Sequence, residues 1–164
     1  MSTSDHAKVI RAHLEREEAF RLKVRFENDQ APALIVDEPP PLGESAGPNG
    51  VQLLASAVGT CLSQSLLFCL QRSKVAVTSL ETDVEAKVGR NEEGRLRVLA
   101  IRARLSPVLG QGQDPEASSR RLERCKGIFE QFCTVAESIR QGVPVEVSVE
   151  EALPVAQAVG DGDR

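Results

Sequence analysis

Apolar and polar side chains alternate with a period of two residues through the first part of the chain, which is the spacing of a half-buried β-strand. Segment 20–26 is the clearest case, because its apolar residues alternate with two arginines and a lysine. Segments 9–16 and 33–36 are also predicted to be strands. Segment 37–49 is predicted to be a loop, because its prolines lack a backbone donor and its glycines permit positive φ.

From residue 51 to residue 72 the pattern changes to the 3.6-residue period of an α-helix. Apolar residues cover most of the circumference, which is typical of a helix at the centre of a domain. Asn49 is the predicted N-cap. Polar residues, among them Gln52, interrupt the apolar stretch, so a buried helix fits better than a membrane span, which needs about 20 predominantly apolar residues.

The two-residue period returns in segments 80–88 and 96–105, which are joined by a glycine-containing turn and predict a β-hairpin. A second helix is predicted to begin at Asp114-Pro115, since proline suits the first helical turn. Segment 134–140 predicts a shorter helix, and segment 143–149 predicts a last strand. The predicted buried face of the second helix consists of Leu122, Cys125, Ile128, Phe129 and Phe132.

The predicted element order is βββ–α–ββ–α–β, in which strands cluster together and helices are few. This order favours an α+β fold over a doubly wound parallel sheet. We expect one domain over residues 1–150, because a chain of 164 residues can bury a sufficient core without disulfides or a structural metal. Residues 151–164 are expected to form a flexible C-terminal tail.

Composition narrows the functional classes. The net charge is −4, and no basic face is visible that would release counterions from a nucleic acid. Five Phe with no Trp or Tyr leave few rings for stacking on bases. Segment 1–8 is polar and lacks the apolar region of a signal peptide. We therefore expect a cytoplasmic protein with neither a nucleic-acid nor a membrane partner.

Four cysteines need an explanation in a compartment where thiols stay reduced. Cys61 and Cys69 are eight residues apart, as are Cys125 and Cys133. Eight helical residues rise about 12 Å, which is more than the roughly 7 Å between the Cα atoms of a disulfide. The same distance prevents both sulfurs from binding one zinc ion at about 2.3 Å. A disulfide would therefore join the first helix to the second helical region, and no metal site is expected.

A helical cysteine is most often a small buried hydrophobic residue. This interpretation is kept for Cys69 and Cys125, which are expected to stay reduced. A hydrolase of the Cys/His type would need an imidazole partner for its thiol. His13 is a candidate for that partner by residue type only.

Two segments resemble motifs of the OsmC/Ohr family. Segment 47–61 is similar to the start of that family's central helix. The family motif there is Gly-x-Asn-Pro-Glu-Glu/Gln-Leu, with a cysteine twelve residues after the asparagine. The spacing from Asn49 to Cys61 matches that motif. Segment 132–147 is similar to the second motif, in which a Cys-Pro-Val-Ser turn leads through a short helix into the last strand. The resemblance covers roughly residues 8–150.

The resemblance implies an intertwined homodimer with central buried helices and the chemistry of a thiol peroxidase. Cys61 would attack the peroxide as a thiolate and become a sulfenic acid, and Cys133 would condense with it to a disulfide that a dithiol reduces. A nearby cation, Arg21 or Arg25, would lower the pKa of Cys61. No cofactor and no metal are implied.

The expected substrate is a small organic hydroperoxide, because the lining predicted for the site is apolar. That predicted lining consists of Leu54, Val58, Phe68, Phe129 and Phe132.

The sequence also departs from the family motifs. In the first motif, Gly50 replaces the proline, and Val51 replaces the glutamate that orients the activating arginine in the family. In the second motif, Thr134 replaces the proline and Ala136 replaces the serine. Glu44, in the preceding loop, is a candidate replacement for the glutamate. The departures keep two alternatives open, a non-enzymatic dimer that binds a small apolar ligand or partner, and a structural dimer with inert thiols.

Overall fold

The computed structural model describes residues 7–28, 30–110 and 114–150, and within these ranges the chain forms two antiparallel sheets and a helical layer. The α+β class predicted from the sequence is confirmed. In chain order the elements are β1 (Ala12–Glu18), β2 (Arg21–Phe26), β3 (Leu34–Val36), α1 (Gly50–Arg72), β4 (Val77–Arg90), β5 (Leu96–Leu109), α2 (Pro115–Lys126), a 3₁₀ turn (Phe129–Phe132) and α3 (Thr134–Gln141).

The N-terminal sheet has the strand order β1-β2-β3. Its antiparallel register places Leu14 opposite Val24, and Val24 in turn opposite Leu34. Val24 and Val36 are buried, whereas every residue of β1 is exposed. The outer strand of this sheet therefore has no core of its own chain to pack against within the described ranges.

Helix α1 begins at the predicted N-cap. The Asn49 side chain accepts a hydrogen bond from the Gln52 backbone N–H at 3.0 Å, and the Gln52 side chain accepts one from the Asn49 N–H at 2.8 Å. This reciprocal capping box satisfies two backbone donors that the first helical turn would otherwise leave without partners. The buried face of the helix consists of Val58, Gly59, Leu62, Leu66 and Leu70.

The face of α1 that carries Gly59 packs on the β4–β5 hairpin. A Cβ atom added at Gly59 would lie 2.6 Å from Cγ2 of Val84, so glycine is what allows the helix to approach the sheet this closely. Thr82 lies beside the same contact, and its hydroxyl is 2.7 Å from Oγ of Ser63.

The second helical region differs from the prediction. Helix α2 begins after Asp114, whose side chain caps the Glu116 and Ala117 amides, but it ends at Gly127 rather than continuing. The 3₁₀ turn then changes the direction of the chain, so Phe129 remains buried while Phe132 is 66% exposed. The predicted buried face was therefore wrong for Ile128 and Phe132, which are exposed, and is confirmed for Phe129.

The predicted last strand, 143–149, was also wrong for this single chain, since it has no ladder partner among the described residues. The segment has the alternation of a strand but not the neighbour that a strand requires. Its apolar positions are exposed instead, and these are Val143, Val145, Val147 and Val149. The predicted tail, 151–164, lies outside the described residues.

The main core joins α1 to the second helical region, with partly buried residues of β4 and β5 packed against it. Within the described ranges it takes no residue from β1, β2 or β3. Its buried members are Val58, Leu62, Leu66, Leu70, Val75, Cys125, Phe129, Cys133 and Ala136.

Helix α1 is long and apolar enough to cross a membrane by length and composition alone, with a mean hydropathy of 1.7 over 18 residues. The core helix of a soluble protein passes the same test, and the buried residues of α1 form the main core. The described part of the chain therefore carries no clear signature of a membrane protein.

Candidate functional site

Two free thiols meet where α1 passes the start of α3. Cys61 is on α1 and is partly buried, and Cys133, between the 3₁₀ turn and α3, is completely buried. The two side chains are close enough for Cys61 to raise the pKa of the Cys133 thiol. The structure therefore brings together the two cysteines that the sequence motifs singled out.

Cys133 is held in place by its backbone and by its sulfur. Its N–H donates to the Glu130 carbonyl at 2.9 Å, and its carbonyl accepts from the Glu137 N–H at 3.0 Å. Its Sγ accepts a hydrogen bond from the Ala136 N–H at 3.4 Å, which makes the thiol the N-cap of α3. This local geometry fixes the direction in which the sulfur points.

Burial raises the pKa of the Cys133 thiol above its ordinary value, and the contact with Cys61 raises it further. The hydrogen bond from the Ala136 N–H acts in the opposite direction but does not outweigh these causes. Cys133 therefore keeps its proton near neutral pH. Because Cys133 stays protonated beside Cys61, its thiol can act as a hydrogen-bond donor toward a thiolate there.

A second sulfur pair lies further along α1. Cys69 and Cys125 form a disulfide with 5.8 Å between their Cα atoms, which joins the last turn of α1 to the last turn of α2. The prediction that both stay reduced as core thiols was wrong. The prediction that a disulfide would cross between the first helix and the second helical region is confirmed.

The candidate cations lie on the N-terminal sheet. Arg21, on β2, donates to Glu44 at 2.8 Å and lies 3.8 Å from Glu18, and its Nε is buried with no acceptor among the described residues. Arg25 donates to Glu15 at 2.8 Å and is more exposed. In the described part of a single chain, neither guanidinium hydrogen-bonds to Cys61.

The loop that carries Glu44 is built around one carboxylate. Asp37 is buried, and its side chain accepts backbone hydrogen bonds from Glu38 at 3.0 Å, Glu44 at 2.9 Å and Ala46 at 3.1 Å. These bonds, led by that from Glu44, hold the pKa of Asp37 below its ordinary value. Sequence reasoning missed this role, although an aspartate ahead of a proline- and glycine-rich loop is a recognised turn signal.

A cavity of about 430 Å³ lies between α1, β5, the 3₁₀ turn and α3. Of the predicted lining residues, Leu54, Val58 and Phe129 border it. Phe68 and Phe132 do not, because both side chains are exposed on the surface. Arg140 and Glu130 stand at its border and form an ion pair with each other at 2.6 Å.

His13 lies on β1 opposite Arg25, and the main core takes no residue from that strand within the described ranges. The described residues contain no group of three or more His, Cys, Asp or Glu side chains that could hold a metal ion.

The profile of the OsmC-like protein family matches residues 43–148 of the chain. No curated protein gives a significant match.

Solved structures are similar over most of the chain. An OsmC-like protein of unknown function from Vibrio cholerae has a TM-score of 0.69 and 16% identity, over 80% of this chain and 94% of its own. An organic hydroperoxide resistance protein from Elizabethkingia anophelis has a TM-score of 0.56 and 17% identity, over 83% and 91%. An organic hydroperoxide resistance protein OsmC from Legionella pneumophila has a TM-score of 0.55 and 14% identity, over 83% and 92%. At these identities the similarity establishes the fold.

Proposed function

Because the chain belongs to the OsmC-like protein family, we propose that it reduces small organic hydroperoxides through Cys61 and Cys133. The observation that supports this most is the proximity of the partly buried Cys61 to the buried, protonated Cys133. A reactive sulfur that substrate can reach, with a second sulfur beside it, is the arrangement of a redox-active cysteine and its resolving partner.

In the proposed reaction the Cys61 thiolate attacks the O–O bond of the hydroperoxide. One oxygen stays on Cys61 as a sulfenic acid, and the other leaves as an alcohol after taking up a proton. The Cys133 thiol then attacks the sulfenic sulfur, which releases water and forms the Cys61–Cys133 disulfide. A dithiol reductant restores both thiols and is itself oxidised to a disulfide.

The proposed functional unit is an intertwined homodimer. Three described regions of the single chain leave exposed surface that a second copy could cover. They are the strand β1, which pairs only with β2, the alternating valines of segment 143–149, and Leu96 and Leu99 on β5. A second copy of the chain would supply ladder partners and apolar cover for all three, since the two copies present the same surfaces to each other.

The dimer also gives the N-terminal sheet a catalytic role. Arg21 and Arg25 do not reach Cys61 within their own chain, so the sheet of one copy would bring its cation to the Cys61 of the other. Arg21 is the better candidate, because its side chain is 26% exposed whereas that of Arg25 is 48% exposed. Its bond to Glu44 replaces the orienting carboxylate that is lost at Val51.

The proposed substrate is apolar because the cavity bordered by Leu54, Val58 and Phe129 also takes in Ala136, on the first turn of the helix that follows Cys133. The proposed compartment is the cytoplasm, where a dithiol reductant is available. No cofactor takes part in the proposed reaction.

The test is stopped-flow measurement of thiol loss with tert-butyl hydroperoxide and with hydrogen peroxide. The wild type should react faster with the organic substrate. Cys61→Ser should lose the reaction, while Cys133→Ser should react once and accumulate a sulfenic acid that dimedone traps. A Cys61→Ser variant as fast as the wild type would refute the proposal.

A second candidate function is non-enzymatic binding of a small apolar ligand, which the valine at position 51 and the volume of the cavity favour. The discriminating experiment combines two measurements on the wild type. The binding function would be supported by two results together. The thiols would react with hydroperoxide no faster than free cysteine, and the wild type would bind an apolar fluorescent probe that the Val58→Phe variant does not bind. Rapid thiol loss would support the enzyme.

A further inference from the structure

The disulfide between Cys69 and Cys125 is not used by the proposed reaction, and it ties two helices together beside the reactive pair. We infer that Cys69–Cys125 is a second redox site, which a small dithiol opens by attack on Cys69 and whose opening releases α2 from α1. This inference rests on the contacts of the disulfide itself and does not depend on hydroperoxide reduction at Cys61.

Only one of the two cysteines has exposed surface. Cys69 is partly buried on the last turn of α1, whereas Cys125 has no exposed surface. A thiolate must approach the sulfur that it attacks, and the other sulfur leaves with the electron pair. The mixed disulfide therefore forms at Cys69, and Cys125 is the leaving thiolate.

The leaving sulfur has a hydrogen-bond donor in place. Oγ of Ser73 lies 3.6 Å from Sγ of Cys125. A disulfide sulfur carries no proton, so in the oxidised protein the hydroxyl is the donor. A thiolate released into the apolar surroundings of Leu70 and Val75 would be costly without such a partner. Ser73 thus lowers the barrier to opening.

The reduction balances with a dithiol as the only co-reactant. One thiolate of the reductant bonds to Cys69, the Cys69–Cys125 bond breaks, and Cys125 takes up a proton. The second thiol of the reductant then attacks the mixed disulfide, which closes the reductant into its own disulfide and frees Cys69 as a thiol. Two electrons and two protons pass from the reductant to the protein.

Helix α2 has few buried residues besides the disulfide cysteine. Its buried residues are Ser118 and Cys125, and Leu122 is only partly buried against the core. The disulfide holds its last turn, immediately before the 3₁₀ turn that leads to Cys133. Opening the bond therefore loosens the segment that positions Cys133, although the two sulfur pairs, about 12 Å apart along α1, are too distant for direct exchange.

The proposed cytoplasmic location is consistent with a disulfide that a dithiol opens. In a reducing cytoplasm, disulfides that do form are usually transient and serve catalysis or redox sensing rather than permanent stapling. A disulfide with one partly exposed cysteine and a hydrogen-bond donor for the other sulfur has the features that opening by a dithiol requires.

The first experiment maps the point of attack in a Cys61→Ser/Cys133→Ser background, so that hydroperoxide chemistry plays no part. The oxidised protein is treated with glutathione, quenched with acid, and mapped by mass spectrometry. The glutathione adduct is expected on Cys69. An adduct on Cys125, or a bond that opens only in denaturant, would overturn the inference.

The second experiment tests the donor in the same background. Ser73→Ala should slow opening by dithiothreitol about tenfold, because it removes a hydrogen bond to a charged group. The matched control is Ser56→Ala, which removes a hydroxyl from α1 whose bond goes to the Gln52 carbonyl at 2.8 Å. Equal rates for Ser73→Ala and Ser56→Ala would refute the role of Ser73.

The third experiment follows α2 by hydrogen exchange in the folded protein before and after dithiothreitol. The amides of residues 118–126 should lose protection at least tenfold, while those of residues 58–66 in α1 keep theirs. Unchanged protection of α2 would show that the bond does not hold the helix and would overturn the inference.

Discussion

The contact between Gly59 and Val84 allows a stability prediction to be worked out from geometry. In Gly59→Ala the new methyl carbon would lie 2.6 Å from Cγ2 of Val84 and 3.7 Å from Cγ2 of Thr82. Carbon atoms in contact lie about 3.5–4.0 Å apart, so roughly 1 Å must be absorbed. Val84 is β-branched and stiff at χ1, so helix and strand must move apart instead.

Overpacking of this kind costs about 1–3 kcal/mol, and the short distance places Gly59→Ala in the upper part of that range. Alanine returns about 1 kcal/mol through its higher helix propensity. The free energy of unfolding should therefore fall by about 1–2 kcal/mol. With a urea slope of about 2 kcal/mol per molar, the middle of the usual range, the midpoint should fall by roughly 0.5–1 M.

Urea unfolding followed by circular dichroism, at one fixed protein concentration, measures this change. Gly50→Ala is the matched control, since no atom lies within 4 Å of its added Cβ and its midpoint should not fall. The double variant Gly59→Ala/Val84→Ala should lose less than the sum of its two single variants, because the clash is gone. Additive losses, or an unchanged midpoint for Gly59→Ala, would refute the close-packing argument.

Three further predictions concern the loop, the buried thiol and the candidate cation. Asp37→Asn should lower the urea midpoint several times more than Asp83→Asn, which disrupts only an exposed ion pair. The difference between the two variants should shrink as pH falls, because protonation of Asp37 in the wild type also removes the negative charge that accepts the loop's hydrogen bonds. The pKa of the Cys133 thiol is raised in the folded protein, so its contribution to stability is complete below the ordinary thiol pKa of 9.0 and is lost as pH rises toward the raised pKa. Cys133→Ser should therefore flatten the decline of the thermal midpoint at alkaline pH. An equally steep decline in the variant would contradict this. Glu44→Gln should slow oxidation of Cys61 by tert-butyl hydroperoxide about tenfold, since it weakens the charge-assisted bond from Arg21. Glu15→Gln, which weakens the bond from Arg25, should leave the rate within about twofold. Equal rates for the two variants would exclude Glu44 as the orienting carboxylate.

Local patterns predicted those elements whose partners lie within the same chain. The apolar period and Asn49 located α1 to within one residue of its start. The alternation of segment 20–26 identified β2, because Val24 has its buried surroundings in the same sheet. The predicted proximity of Cys61 and Cys133 depended on the family motifs, since spacing along the chain does not show which face of α3 meets α1.

The wrong predictions concern how helices approach each other and where the chain turns, which patterns along the sequence do not show. Spacing gave the distance from Cys61 to Cys69 along α1, but not how closely α2 would approach it, so the disulfide to Cys125 was missed. Phe132 was placed on a buried face because its helical period continues past Gly127, where the chain turns instead. The role of Asp37 also depends on a loop that folds back on it.

Segment 143–149 has a consequence for the behaviour of newly made chains. Until it finds a partner, it presents free backbone donors and acceptors beside four exposed valines, the combination that promotes edge-to-edge aggregation. Its other side carries Pro144, which removes one donor, and the carboxylates of Glu146 and Glu150 border the valines. Proline and charge at such positions oppose adventitious pairing. In the proposed homodimer, this composition would protect the segment from adventitious pairing before a second copy covers its valines.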